Sequence, residues 1–291
     1  MIVPFLKWPG GKRWLVQDYP EAFPRVAGTY YEPFLGAGAA FFLTEPSAAH
    51  LSDANAELIN VYKQIRRAPL KFAKALAVYH SKHDKAFYYR ERAQNYACNF
   101  RRSVQFVYQN RTCFNGIYRV NLDGQFNVPI GTKNAVVLPS DDFLAVARLL
   151  RGKTLAVEDY STAIAKAGKN DFIFADPPYT VKHNLNGFVK YNDKLFQWSD
   201  QEKLRASLEA ASRRGARIVV SNANHESVRA LYSRGWHLNV VCRSTVISSD
   251  PGKRGETTEL LISNFPLKLA QVRNDHLFKS PGRSNGFVAS N

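Results

Sequence analysis

The sequence predicts a doubly wound α/β sheet into which a strongly basic module of helices and one β-hairpin is inserted. Short apolar runs alternate with helical patterns, a glycine-rich turn follows the first run, and positive charge is concentrated between the second and third runs. Alternating strands and helices are typical of a parallel sheet covered by helices on both faces. The basic stretch that interrupts this alternation indicates an inserted unit.

The first two strands are predicted at 29–32 and 48–53. Between them, Gly36 and Gly38 form a turn, and a helix begins at Ala39. Further strands are predicted at 154–157, 171–175 and 217–221.

The helix before the last of these strands has start and stop signals. Ser199 and Glu202 have the spacing of a capping box, and Gly215 is placed to end the helix.

The predicted insertion lies between the second strand and the third. Residues 57–153 contain 17 Lys and Arg but six Asp and Glu, which gives +11 of the chain's net charge of +16. Apolar residues at helical spacing predict a small bundle, with helical segments at 61–65, 70–78 and 87–106. The pair Asp123-Gly124 predicts a β-hairpin over 119–128, because glycine tolerates positive φ. A polar hairpin of this kind can enter the major groove of DNA.

These elements predict a domain organisation that is discontinuous in sequence. Residues 1–56 and 150–266 form the α/β domain, residues 57–149 form the inserted basic domain, which is a candidate DNA target-recognition domain because of its charge and hairpin, and residues 267–291 form a flexible tail. The tail is inferred from its Ser, Pro and Gly content and its lack of periodicity.

Composition excludes several classes of protein. No run approaches the ~18 apolar residues of a membrane span, and no amino-terminal secretion signal is evident, so we expect a cytoplasmic protein, either nucleoid-associated or, if phage-borne, in the host cytoplasm. Cys98, Cys113 and Cys242 form no C-x-x-C pair, which argues against disulfides and a cysteine-rich zinc site. A pI near 9.8 favours a polyanionic partner, and nucleic acid is the first to consider.

An acid follows the glycine turn at the end of the next predicted strand. Such an acid can accept hydrogen bonds from ribose hydroxyls at the carboxyl edge of a parallel sheet, so Asp53 is interpreted as a ribose ligand. The alternative is that Asp53 caps the helix beginning at Ala54.

The most specific feature is Asp176-Pro177-Pro178-Tyr179, directly after an apolar strand. Two prolines hold an extended backbone whose carbonyls remain free as acceptors. A carboxylate, a free carbonyl and an aromatic face suit a flat heterocycle that bears an NH₂ group. The alternative is a proline-terminated turn with a buried tyrosine.

Together with the segments 5–12, 32–38, 51–55, 110–119 and 124–129, this motif resembles the Dam-type DNA adenine methyltransferases, the alpha group of amino-methyltransferases with a DPPY motif. The matching segments extend from about 5 to 265. The resemblance implies a Rossmann-like, S-adenosylmethionine-dependent methyltransferase sheet with an inserted DNA-recognition domain. It implies methyl transfer from S-adenosyl-L-methionine to the exocyclic amine of a flipped-out adenine in duplex DNA.

The resemblance also implies site residues. Asp53 would bind the ribose, Asp159 and Tyr160 would flank the cofactor's adenine, and Asp176 would lie beside the reactive end. The implied cofactor-binding set is Trp8, Lys12, Glu32, Phe34, Gly36, Gly38, Asp53, Asp159, Tyr160 and Asp176. The implied catalytic set is Asp176, Pro177, Pro178 and Tyr179.

Residues that read DNA are implied in the same way. Arg119 would read a guanine bidentately, Ile117 and Pro129 would contact a thymine methyl, and Lys7 would reach the outer guanine, which together imply 5′-GATC-3′. The implied DNA-binding set is Lys7, Arg111, Phe114, Asn115, Ile117, Arg119, Pro129, Arg243, Lys253 and Arg254. Some family members carry an Arg-Tyr pair where this chain has Thr132 and Lys133, which puts reading of the first base in doubt.

Two other functions stay open at this stage. One is methyl transfer to RNA or to a protein amide, and the other is DNA binding without catalysis. The Asp at 176 and the polar hairpin favour duplex DNA over both an amide and RNA, whose major groove is too narrow for a hairpin. We expect no metal, no membrane association and no obligate protein partner.

Overall fold

The five predicted strands form the parallel part of one sheet. The computed structural model describes residues 2–25, 27–116, 118–121, 124–181, 196–243 and 257–269. The strands are β1 (Tyr30–Glu32), β2 (Ala49–Asp53), β3 (Thr154–Val157), β4 (Phe172–Ala175), β5 (Arg217–Ala223), β6 (His237–Arg243) and β7 (Thr257–Ser263). Their order is β3-β2-β1-β4-β5-β7-β6, and β7 is antiparallel to both of its neighbours. The predicted α/β sheet is confirmed.

Helices cover both faces of this sheet. They are α1 (Arg13–Asp18), α2 (Ala39–Thr44), α3 (Ala56–Arg67), α4 (Pro69–Ser81), α5 (Lys85–Arg92), α6 (Asn99–Thr112), α7 (Phe143–Leu150), α8 (Tyr160–Lys166), α9 (Trp198–Arg213) and α10 (Glu226–Leu231). Alternate residues of each strand enter different cores: Phe172 and Phe174 pack on one face, and Ile173 packs on the other. This alternation explains why the strands read as continuous apolar runs.

The predicted insertion supplies α4 to α6 and parts of the helices around them. Phe72 of α4 and Val107 of α6 belong to the same apolar cluster as Leu51 and Phe174 of the sheet. The insertion therefore shares one continuous core with one face of the sheet. The boundaries of the two domains stay a prediction.

Some predicted elements differ in detail. The helical pattern at 87–106 divides into α5 and α6, which are separated by residues 93–98. The capping box at α9 pairs Gln197 with Asp200 rather than Ser199 with Glu202, because the helix begins earlier than predicted. Gly215, with φ of 95°, follows the end of α9 as predicted.

Strands β6 and β7 were not predicted from the sequence. β7 is antiparallel to both β5 and β6. Its residue Glu259 is paired with Ala223 of β5 on one side and with Val241 of β6 on the other. At the start of the predicted tail, Leu267 and Leu269 pack against the core, and residues 270–291 lie outside the described part of the chain, so the extent of the tail stays a prediction.

The predicted hairpin is present, with a different register. The Asn121 N–H donates to the Gln125 carbonyl at 2.8 Å, and Val120 is bridged to Phe126. Because Asn121 is paired with Gln125, the connection has three residues, 122–124, instead of the predicted two. Gly124 has φ of 74°, and residues 122 and 123 lie outside the described residues. A three-residue connection with a glycine in left-handed conformation is a common hairpin form.

In the described part of the chain, no helix is long and apolar enough to cross a bilayer.

A buried ion pair ties the amino-terminal segment to the insertion. The Arg111 guanidinium is 1% exposed and forms two 2.6 Å bonds to the Asp141 carboxylate. It also donates to the carbonyls of Phe5 and Val136. All of these acceptors belong to the protein, so the prediction that Arg111 contacts DNA is wrong and its role is structural.

Replacing this arginine should therefore affect folding rather than recognition. We expect Arg111→Met to lower the free energy of unfolding by about 3–5 kcal/mol, because it leaves the Asp141 carboxylate buried without its partner. Urea unfolding measures this loss, and DNA affinity measured at a temperature where the variant is folded should be unchanged. Weaker DNA binding at unchanged stability would contradict the assignment.

Candidate active site

Three acids meet at the carboxyl edge of the sheet. Glu32 ends β1, Asp53 ends β2, and Asp176 follows β4. β1 lies between β2 and β4, and the chain reverses its direction of winding there. Ligands of open α/β sheets bind at such a switch point.

The glycine turn is fixed by the acid of the neighbouring strand. One Asp53 oxygen accepts from the Gly36 N–H at 3.0 Å, and the other accepts from the Asn55 N–H at 2.9 Å. Asn55, not Asp53, caps α3 through a bond from the Leu58 N–H. The helix-cap alternative for Asp53 is therefore wrong. Burial raises the pKa of Asp53, and its two backbone bonds oppose that rise.

Trp8 packs directly against this turn. A Cβ atom on Gly36 would lie 2.7 Å from the Trp8 ring, so only glycine fits there. The indole also stacks at 6.4 Å on Tyr118 and at 6.5 Å on Phe106 of the insertion. Trp8 thus joins the turn to the insertion.

Glu32 is buried at the end of β1. Its Oε2 accepts from the Tyr30 hydroxyl at 2.8 Å and from the Phe41 N–H at 3.1 Å. Burial raises the pKa of Glu32 to about 8, and the negative charges of Asp176 and Asp53 contribute to the increase. The carboxyl is therefore largely neutral at pH 7.

An aromatic pair borders the same edge. The rings of Phe34 and Tyr160 stack with centroids 5.3 Å apart. Asp159 is exposed and caps α8 by accepting from the Ser161 N–H at 2.9 Å. The predicted neighbours of the cofactor's adenine thus lie at the end of β3, on the β2 side of the switch point.

Asp176 and four other side chains form a closed ring of polar contacts. Lys12 Nζ lies 3.1 Å from Asp176 Oδ1 and 3.5 Å from Glu259 Oε2. The Ser221 hydroxyl donates to Asp176 Oδ1 at 2.5 Å, and the Tyr179 hydroxyl lies 3.2 Å from Ser221 Oγ. Tyr179 donates to Glu259 Oε2 at 2.5 Å, which closes the ring. We call these five residues the carboxylate ring.

The electrostatics of the ring follow from its burial. Burial raises the pKa of Asp176, while the Lys12 charge and the Ser221 hydroxyl oppose the increase. Burial and the charges of Asp176 and Glu259 raise the pKa of Tyr179 well above its ordinary value, so the phenol stays protonated and donates. Lys12 also lies over the Tyr179 ring, 4.7 Å from its centroid.

Sequence reasoning missed Ser221 and Glu259. Ser221 was placed at the end of a predicted strand without a role. Glu259 is 7% exposed and is followed by Leu260, Leu261 and Ile262, all fully buried. Glu259 stands before this apolar run rather than inside it, and the run was not predicted as a strand, so no local signal marked Glu259 as part of the site.

The two prolines differ in their partners. Gln201 of α9 donates to the Pro178 carbonyl at 3.2 Å, and Asn222 donates to Gln201 in turn. Within the described residues no hydrogen bond uses the Pro177 carbonyl. This carbonyl is therefore available as an acceptor beside Asp176.

The predicted DNA-binding residues fall into two regions. Phe114, Asn115, Arg119 and Pro129 are exposed on and beside the hairpin, and Phe114 is 53% exposed. Arg119 Nε donates to the Asn127 side chain at 3.1 Å. Arg243 is exposed at the end of β6, far along the sheet from β1. Ile117, Lys253 and Arg254 lie outside the described residues.

Lys7 is held by the insertion. Its Nζ donates to the Arg111 carbonyl at 3.0 Å, and its N–H donates to the Asn110 side chain at 2.9 Å. Burial and the nearby charge of Lys133 lower the pKa of Lys7. Lys7 thus lies between the hairpin region and the segment that carries Trp8 and Lys12.

The chemistry of this edge suits a positively charged nucleoside. Asp53 keeps lone pairs for ribose hydroxyls, the Phe34–Tyr160 pair offers an aromatic surface, and Glu32 and Asp176 supply carboxyl groups at the switch point. No group of three or more His, Cys, Asp and Glu suited to hold a metal ion occurs in the described ranges.

A family profile and individual relatives both match this chain, and they indicate the same family. Residues 8–246 match the profile described as D12 class N6 adenine-specific DNA methyltransferase. The chain is 29% identical to the type II methyltransferase M1.LlaDCHI of Lactococcus lactis subsp. cremoris, with 90% of this chain and 95% of that protein covered. It is 33% identical to a DNA adenine methylase of Vibrio cholerae serotype O1 (88% and 94% covered) and 32% identical to that of Escherichia coli K12 (88% and 93% covered).

The buried acid at the end of β1 should make stability depend on pH. The folded-state pKa of Glu32 is about 8, above its ordinary 4.5, so unfolding releases a proton in this window and stability falls as pH rises through it. Gln at this position keeps both hydrogen bonds but cannot ionise. We expect Glu32→Gln to gain stability relative to wild type by on the order of 1 kcal/mol per pH unit between pH 5 and 7.5.

Urea unfolding of both cofactor-free proteins from pH 5 to 9 measures this difference. The gain should level off above pH 8, where Glu32 is ionised in both states. A difference that does not change with pH would show that Glu32 titrates normally.

Proposed function

Because the chain belongs to the family of D12 class N6 adenine-specific DNA methyltransferases, we propose that it transfers a methyl group from S-adenosyl-L-methionine to the exocyclic amine of a flipped-out adenine in duplex DNA, within 5′-GATC-3′. The observation that carries the proposal is the position of Asp176-Pro177-Pro178-Tyr179. It lies at the carboxyl end of β4, next to the Glu32 to Gly38 turn and at the switch point of the sheet.

The cofactor would lie along the carboxyl edge from β3 to β4. Asp53 would accept hydrogen bonds from the ribose hydroxyls, Phe34 and Tyr160 would border the adenine, and Glu32 and Asp176 would face the positively charged end. When bound, S-adenosylmethionine supplies a methyl group that is activated by attachment to a sulfonium. The residues of the site therefore orient the acceptor and need neither a covalent intermediate nor a metal.

The target amine requires activation, because its lone pair is delocalised into the adenine ring. Asp176 Oδ1 is engaged by Lys12 and Ser221, and its Oδ2 accepts one hydrogen of the amine. The Pro177 carbonyl accepts the other hydrogen. Two acceptors in this arrangement favour a tetrahedral nitrogen whose lone pair points away from the ring. Tyr179 stacks on the base.

The exposed hairpin region would read the DNA. Arg119 contacts a guanine through O6 and N7, and Phe114 and Asn115 lie near the space left by the flipped base. Ile117 and Pro129 contact a thymine methyl, and Lys7 approaches the outer guanine. Arg243, Lys253 and Arg254 contact phosphates, which contribute affinity rather than sequence preference.

A methyl-transfer assay tests the reaction. We expect labelled S-adenosylmethionine to modify adenine in a duplex with one GATC site, and Asp176→Ala to abolish transfer while the protein stays folded. Circular dichroism confirms that the variant is folded. Transfer to RNA or protein but not to DNA would refute the proposed substrate, and cofactor-independent DNA binding without transfer would indicate a non-catalytic relative.

Recognition of the DNA sequence can be tested separately from methyl transfer. We expect Arg119→Ala to lose roughly 10- to 100-fold of the preference for one G·C pair, because a bidentate Arg–guanine contact is worth about 1–3 kcal/mol. Transfer rates on duplexes altered singly at each GATC position measure this, and preference at the two A·T pairs should persist. A uniform loss at all positions would make Arg119 a phosphate contact.

A further inference from the structure

A half-buried carboxylate and a buried one share one lysine in the carboxylate ring. Asp176 belongs to the motif after β4, and Glu259 comes from β7, two strands farther along the sheet. The Lys12 ammonium is 4% exposed, and its acceptors are the Gly10 carbonyl at 2.7 Å, Asp176 at 3.1 Å and Glu259 at 3.5 Å. One ammonium between two carboxylates does not neutralise both of them.

Glu259 also fixes the motif's aromatic residue. The Tyr179 hydroxyl donates to Glu259 Oε2, and hydrogen bonds to carboxylates are stronger than those between neutral groups. It anchors the end of the phenol farthest from the backbone. With both its hydroxyl and its backbone held, the Tyr179 ring has one orientation next to Asp176.

We propose that Glu259 is a positioning residue for methyl transfer: it holds the Tyr179 ring in place and draws Lys12 partly away from Asp176, so that Asp176 keeps an available oxygen and net negative charge for the target amine. This inference rests on the proposed function. As the nitrogen lone pair bonds to the methyl carbon and the carbon–sulfur bond breaks, the positive charge passes to the amine nitrogen, which then loses one proton to solvent. A net negative charge beside the nitrogen favours this change.

The chain offers a matched control for this role. Glu91 is 8% exposed and accepts from the hydroxyls of Tyr79 and Tyr96, each at 2.9 Å. It has the same burial and the same kind of partner as Glu259, and it lies in α5 of the insertion. A change from Glu to Gln at either position removes a buried charge that accepts tyrosine hydroxyls.

The experiment compares single-turnover methyl transfer with saturating labelled S-adenosylmethionine and a GATC duplex. We expect Glu259→Gln to lower the rate constant roughly 10- to 100-fold, since small misplacements of catalytic groups cost up to about 10²-fold. The dissociation constant for the duplex should stay within about threefold of wild type. Glu91→Gln should keep the wild-type rate constant even if both variants lose similar thermal stability.

A double-mutant cycle with Tyr179→Phe separates positioning from general damage. If Glu259 acts partly through the tyrosine hydroxyl, Glu259→Gln and Tyr179→Phe together should cost less than the product of the two single effects. Fully multiplicative effects, or a wild-type rate constant in Glu259→Gln, would overturn the inference. If Glu259→Gln does not fold, Tyr179→Phe alone decides, and an unchanged rate constant in that variant overturns it.

The two proposals fail in different ways. If the wild-type protein methylates no DNA, the proposed function fails and the role of Glu259 fails with it. If the wild type methylates GATC and Glu259→Gln does so equally fast, only the role of Glu259 fails.

Discussion

The sharing of the Lys12 ammonium between Asp176 and Glu259 is the interaction on which the arrangement of this edge depends. Asp176 is half-buried, Glu259 is buried, and both lie within 3.5 Å of the same ammonium, so this pair of carboxylates depends on the cation between them. The cation comes from the amino-terminal segment, whereas its partners come from the end of β4 and from β7. The site therefore exists only when the amino-terminal segment reaches across the carboxyl edge and the antiparallel β7 is inserted between β5 and β6.

The insertion holds that amino-terminal segment in place. Arg111 of α6 binds the Phe5 carbonyl, and the Asn110 side chain bonds both the N–H and the carbonyl of Lys7. The next residue, Trp8, packs on Gly36 and stacks on Tyr118 beside the hairpin. The region predicted to read DNA and the ring predicted to bind the flipped base are thus attached to the same eight residues, 5–12. This placement gives the insertion a structural role in the site in addition to any contact with DNA.

The sequence was sufficient for the parts of the molecule that depend on local pattern. The five parallel strands and the motif at 176–179 were predictable because buried strands read as apolar runs that end at polar residues. Charge gave no such guidance for Arg111, because a count of basic residues does not distinguish a buried ion pair from an exposed contact. The hairpin at Gly124 was predictable, but its register was not, since the same turn residues fit two- and three-residue connections.

Glu259 was missed for a related reason. β7 pairs with β5 across a long separation in sequence, and local pattern does not show that its one acid faces the residues after β4. Only the topology brings these residues together, so the partner of Lys12 and Tyr179 could not be read from the sequence alone.

The charge of the carboxyl edge also restricts which ligand it can hold. Burial raises the pKa of Glu32, Asp53 and Asp176, so each carboxyl is costly to ionise without a positive partner. Of these three, Asp176 alone has an ion-pair partner among the described residues. A phosphate placed here would add repulsion, whereas a sulfonium or ammonium group would favour the ionised carboxyls and be bound more tightly as they ionise. This distribution of charge is compatible with the proposed cofactor, which is a cationic nucleoside.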